Sequence, residues 1–110
     1  MTPPNIAVEW DGLPLERVTE MASRRVAIDA GRTLVQSQFR RGALVPVHTH
    51  AAEQWIHVLQ GSLAVTVAGR RTTLDEGAWL LVPARTPHEA EALDDCVVVD
   101  VRHGDVEFGA

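Results

Sequence analysis

The chain breaks every few residues at a turn signal, and this limits its fold more than any other feature. From Leu13 onward no window sustains a 3.6-residue apolar period. Short extended runs take its place: Arg24–Asp29, Thr33–Arg40, Trp55–Gln60, Ser62–Ala68, Arg71–Leu74, Ala78–Pro83, His88–Leu93 and Val97–Arg102. Between them stand Ala30-Gly31, Arg41-Gly42, Gly61, Gly69-Arg70, Asp75-Glu76-Gly77 and Asp94-Asp95. Helices need longer uninterrupted stretches, whereas short strands at regular spacing with glycine turns form an all-β sandwich or barrel. In Thr33–Arg40 the alternation is explicit, with Val35, Ser37 and Phe39 on one face and Leu34, Gln36 and Gln38 on the other.

A length of 110 residues with 45% apolar content allows one domain with one modest core. Residues 1–12 carry Pro3, Pro4 and Gly12 and read as an arm. Residues 13–110 read as the single domain. The formal charge of −5 argues against nucleic-acid or anionic-membrane partners. All ten cationic side chains are Arg, which excludes a Schiff-base lysine, and no Tyr is present to act as an acid or radical. The single Cys96 cannot form an internal disulfide and reads as a buried apolar residue, which fits a reducing cytoplasm. Residues 1–12 lack the pattern of a signal peptide, and no apolar run approaches the ~18 residues of a membrane span.

The chemistry concentrates in Gly42–Gly61. His48 and His50 are two apart, so in an extended strand both imidazoles face one point, a common start for a transition-metal site. His88 is a further ligand candidate downstream. Counting by two from His50 reaches Gln54, which then shares the histidine face. A turn at Ala51-Ala52 would break that count and favour Glu53. His57, three beyond Gln54, falls on the opposite face and reads as a packed residue, and His103 reads as solvated.

Gly42-x5-His48-x-His50-x3-Gln54-x6-Gly61 resembles the first cupin motif, and Gly77-x5-Pro83-x4-His88 resembles the second. The resemblance spans residues 42–88. It implies the cupin double-stranded β-helix, a jelly-roll barrel of the RmlC-like kind. It also implies one metal held by His48, His50, the residue at the glutamate position, and His88. That position is Gln54 here, the usual glycine of the second motif is Arg85, and its final asparagine is Ala92. If the Arg85 position needs a left-handed backbone, Arg costs roughly 1 kcal/mol there. Three nitrogens and one neutral oxygen suit Fe, Ni, Zn, Mn or Co as the divalent ion. They leave it its full charge for Lewis-acid work.

The His-x-His-x-x-Glu-Gln form, with the upstream ERVTEMASRRVAIDAGRTLVQSQF, is similar to the pectin-degradation cupins that open cyclic unsaturated uronates. That group has an Asp on its last strand, matched by Asp100. Its Phe two further on is Arg102 here, and its Arg six further on is Val106. The resemblance implies a metal-dependent isomerase or lyase acting on a small oxygenated acid. Two other classes share the ligands: an iron-dependent dioxygenase and a non-enzymatic small-molecule sensor.

Several residues carry two readings. Asp100, set among valines, is either a general acid or base with a raised pKa or an ion-pair partner of Arg102. Arg85 either holds a substrate carboxylate at the cavity mouth or pairs on the surface with Glu89 or Glu91. Gln36 and Gln38 either line the cavity as donors to substrate or face solvent. Trp10, Trp55 and Trp79 read as core or interface. The arm carries Ile6, Val8 and Trp10 on one alternating face. Packed across a second barrel, it would close an open sheet edge and give a symmetric homodimer.

Overall fold

A computed structural model describes residues 7–29 and 31–103. Ile6 and Val106 fall outside the described residues, and with them part of the expectation about the arm. Trp10–Gly12 form a single 3-10 turn. The strands are β1 (Glu16–Thr19), β2 (Ala22–Asp29), β3 (Arg32–Phe39), β4 (Leu44–His48) and β5 (Gln54–Gln60), then β6 (Ser62–Val67), β7 (Arg70–Asp75), β8 (Trp79–Val82), β9 (His88–Ala92) and β10 (Cys96–His103). No α-helix occurs among the described residues, and none is long and apolar enough to cross a membrane.

All pairings are antiparallel. A six-stranded sheet runs β1-β2-β3-β10-β5-β8, and a four-stranded sheet runs β4-β9-β6-β7. The chain is a jelly roll, two sheets folded face to face, as the resemblance implies. Side-chain alternation sends one face of each strand between the sheets. In β5, Gln54, Ile56 and Val58 point inward while Trp55 and His57 point out. In β3, Thr33, Val35 and Ser37 point inward. The core is Ile56, Val58, Leu63, Val65, Leu74, Val82, Ala92, Cys96 and Val98. Fully burying one such valine stabilises the fold by roughly 1.5–2 kcal/mol.

Turn chemistry sets the register. Val67 pairs with Arg70, so Ala68-Gly69 is a two-residue hairpin loop, and both residues have positive φ (49° and 82°). This is the primed turn whose twist matches its strands. Gly61 is required twice over: its φ is 86°, and a Cβ there would lie 2.2 Å from the Asp95 carbonyl oxygen. Pro46 lies within β4, which the lack of an N–H tolerates because β4 is a sheet edge.

Trp55 and Trp79 do not belong to the core. They stand on the outer face of β5 and β8, 39% and 55% exposed. Their parity is opposite to that of Ile56 and Leu80, whose side chains fill the interior.

Candidate metal centre

The two sheets each supply part of one site. His48 ends β4 and pairs directly with His88, which begins β9. Across the interior, Gln54 begins β5 and pairs with Arg102 of β10, and Ile56 pairs with Asp100. His50 lies beyond the end of β4, so strand periodicity is not what aims it. Its carbonyl accepts the Arg85 N–H at 2.7 Å, which ties this loop to the one before β9. Arg85 itself is left-handed, with φ 57°. A conformation usually left to glycine is therefore spent on holding His50, at about 1 kcal/mol.

The three imidazoles converge. Ring centroids are 4.6 Å apart for His48–His50, 4.2 Å for His48–His88 and 5.2 Å for His50–His88. One nitrogen from each lies within 4.8 Å of the others. The Nδ1–H of His48 donates to the Pro46 carbonyl at 2.8 Å, and the Nδ1–H of His88 donates to the Thr86 carbonyl at 2.8 Å. A carbonyl can only accept, so both rings carry their proton on Nδ1 and leave Nε2 as a bare lone pair.

The buried Nε2 atoms of His50 and His88 and the buried Oε1 of Gln54 have no hydrogen-bond partner. Orphaned acceptors at this density are costly unless something cationic meets them. The residues present therefore fit a divalent metal. Gln54 is 4% exposed and lines the same cavity as His48 and His88, whereas Glu53 is exposed to solvent. The bend at Ala51-Ala52 does interrupt the strand, and Gln54 faces inward because it begins β5 in phase with Ile56 and Val58.

Electrostatics suit the same reading. Burial, aided by Arg102 and the other two imidazoles, lowers the His50 pKa to about 4. Burial also lowers that of His88, partly opposed by its bond to Thr86. Both rings are thus neutral, ligand-ready bases near pH 7. Asp100 is half-buried, its side chain 15% exposed, and desolvation pushes its carboxyl up to about 6, against the pull of Arg102, a hydrogen bond from Gln54, and His48. Both earlier readings of Asp100 meet here, because its Oδ2 is 3.7 Å from Arg102 Nη2. The pairing is too long to restore an ordinary carboxylate pKa.

His48, Gln54, His88, Asp100 and Arg102 line a cavity of about 440 Å³, of a size that takes a small organic ligand. Its wall includes Arg24 and Ser23 of β2, which sequence alternation did not single out. Arg24 pairs with Ser37, and directly opposed residues share a face. Register, not local pattern, carried that signal.

Gln36 and Gln38 do not line this cavity. They occupy the outward face of β3, beside Trp10, Arg25 and Gln60 in a separate surface groove. The inward positions of that strand go to Val35, Ser37 and Phe39. Arg85 is exposed and outside the cavity lining, and Glu91 pairs instead with Arg71 at 3.2 Å. His57 is packed: its Nδ1–H donates to Ala78 O at 3.0 Å, and its ring stacks on Trp79 at 3.9 Å. His103 is exposed. Cys96 is buried, and burial with Asp95 and Asp94 raises its thiol to about 11, leaving it inert.

The cupin domain family model matches residues 36–102. No curated protein matches the chain. Among solved structures, KdgF from Halomonas sp. is 28% identical with a TM-score of 0.80, over 86% of this chain and 91% of that one. An RmlC-like cupin from Shewanella frigidimarina NCIMB 400 is 22% identical with a TM-score of 0.84, over 96% of both chains. An oxalate decarboxylase variant from Bacillus subtilis is 18% identical with a TM-score of 0.82, over 94% of this chain and 30% of that one. At such identities the last two show a shared fold.

Proposed function

This chain belongs to the cupin family, and we propose that it is a metal-dependent isomerase or lyase acting on a small oxygenated acid. The observation that carries this is the convergence of one nitrogen each from His48, His50 and His88 within 4.8 Å, with the buried His50 Nε2, His88 Nε2 and Gln54 Oε1 all unpartnered. His48, His50, Gln54 and His88 would hold one divalent ion, which supplies Lewis acidity toward a substrate oxygen when bound. The ligand set is uncharged, which favours that role over stabilising a higher oxidation state in oxygen chemistry.

The remaining chemistry belongs to the chain's own residues. Asp100, with its carboxyl raised to about 6, exchanges a proton near neutral pH and serves as general acid or base. The Gln54 amide donates to Asp100, leaving its buried Oε1 without a partner. Arg102, beside Gln54 in the register, supplies positive charge for a substrate anion.

The resemblance at the histidines and Gln54, together with the likeness to KdgF, supports an unsaturated uronate as the first substrate to test. Arg85 would act on this reading through its backbone hold on His50. A free buried Cys96 and the negative charge support a cytoplasmic protein with a small-molecule partner and no nucleic-acid or membrane role.

Elemental analysis of tag-free protein tests the centre. Close to one divalent metal per chain is expected, with none when His48 and His88 are both replaced by Ala. Stoichiometric metal in that double variant refutes the ligand set. Loss of the conjugated double-bond absorbance of an unsaturated uronate tests the reaction. Oxygen uptake in place of that loss indicates a dioxygenase, and tight ligand binding without turnover indicates a sensor.

A further inference from the structure

Beyond its polar end, the cavity is walled by hydrocarbon. Val18, Phe39, Leu44, Val45, Val47 and Ala90 line it with open apolar surface, from strands of both sheets. None of these side chains offers a donor or acceptor. The hydroxyls of Ser23, Ser37 and Thr19 and the exposed carboxylate of Glu89 are the polar groups among them. A polyhydroxylated ring placed here would leave most of its hydroxyls unpaired, a cost that sites of this kind discriminate against strongly.

The cationic side is equally specific. Two guanidiniums line the cavity among the described residues, Arg24 and Arg102. Arg24 is already paired, its Nε donating to Glu16 Oε2 at 3.1 Å. Arg102 has a side chain only 12% exposed, stands 3.7 Å from Asp100, and its buried Nε has no partner at all. A buried Nε–H with nothing to donate to is expensive, and a planar carboxylate is the group whose geometry suits it. Arg102 pairs in register with Gln54, so a carboxylate received there places the adjoining substrate atoms beside the histidine cluster.

We infer that the substrate is a carboxylic acid with a hydrocarbon body, its carboxylate held by Arg102 and its chain or ring packed on the valine-rich wall. This rests on the reading of the site as one for a small oxygenated acid and departs from the unsaturated uronate within that class: the part of the molecule beyond the reacting oxygen is apolar. An aliphatic or aromatic 2-oxo or 2-hydroxy acid has this form, with the oxygen next to the carboxylate directed at the metal ligands.

Calorimetric titration of the metal-free and metal-loaded protein tests the inference. The probes are pyruvate, 2-oxobutanoate, 2-oxopentanoate and 2-oxohexanoate, with D-galacturonate and the neutral 2-hexanone for comparison. Affinity is expected to rise about fourfold per added methylene. 2-Oxohexanoate should bind more tightly than galacturonate and more tightly than 2-hexanone. Arg102→Met should bring 2-oxohexanoate to the level of 2-hexanone, and Arg102→Lys should recover part of the difference. Circular dichroism verifies that both variants are folded. Should either fail to fold, the comparison of 2-oxohexanoate with 2-hexanone in the unaltered protein still decides the carboxylate's contribution. A flat chain-length series, tighter binding of galacturonate, or a folded Arg102→Met with unchanged affinity overturns the inference. Chain-length and Arg102 dependence in a protein that takes up no metal upholds it while defeating the metal-enzyme reading. Full metal occupancy with a flat series does the reverse.

Discussion

Asp100 offers a decisive measurement, because two opposing forces act on it and their balance has a sign. Burial favours the neutral acid, Arg102 at 3.7 Å favours the carboxylate, and burial wins, taking the pKa from 3.8 to about 6. In the unfolded chain the group ionises near 3.8. Below that pH both states hold the proton, and Asp100 adds no pH dependence. Between about 4 and 6 the unfolded chain has lost the proton while the folded chain keeps it, so stability falls as pH rises. Above about 6 the loss is complete. A shift of roughly two units corresponds to about 3 kcal/mol.

Asp100→Asn removes this titration. The changed shape and the unpaired Arg102 shift stability by an amount that does not vary over this pH range, so the difference in slope isolates the carboxyl. The assay is urea unfolding of metal-free protein in steps from pH 4 to pH 7, on the unaltered chain and on the variant. The stability of the Asp100→Asn variant relative to the unaltered chain is expected to rise by about 3 kcal/mol across that range. A difference that stays constant shows an ordinary carboxyl. A difference of opposite sign shows that the ion pair, not desolvation, dominates, and either result removes the case for Asp100 as a proton carrier.

Gln54→Glu should keep the metal, since both side chains offer an oxygen at similar reach, and Glu53→Ala should keep it too; elemental analysis showing loss only in the Glu53 variant reverses the assignment. Gly61→Ala should cost about 3 kcal/mol in chemical denaturation, because the backbone is left-handed there and the Asp95 carbonyl blocks the added methyl. An unchanged midpoint would mean that the β5–β6 turn relaxes freely. For assembly, the exposed Trp55 and Trp79 on the outer sheet face add to the case for a dimer. Light scattering should give a dimer for the full chain and a weaker one for a chain starting at Gly12. A monomer at micromolar concentration defeats the proposal, and a dimer unaffected by truncation defeats only the part given to the arm.

The amino-acid sequence by itself determined the fold class and most of the centre. Turn residues and period-two alternation are local properties, so they mark strands without knowledge of what each strand pairs with. The cupin spacing of His48, His50, Gln54 and His88 was legible for the same reason. What lies across the interior was not. Whether Gln36 or Ser37 faces the cavity depends on which face of β3 meets the second sheet, and alternation is symmetric between the two. The aim of His50 comes from the Arg85 N–H, thirty-five residues away in sequence, and not from the strand it follows. Arg24 reaches the cavity through its pairing with Ser37, and the fate of Asp100 turns on how much water the closed sheets exclude. Register, burial and long-range contact are properties of the assembled barrel, so only the tertiary structure decided them.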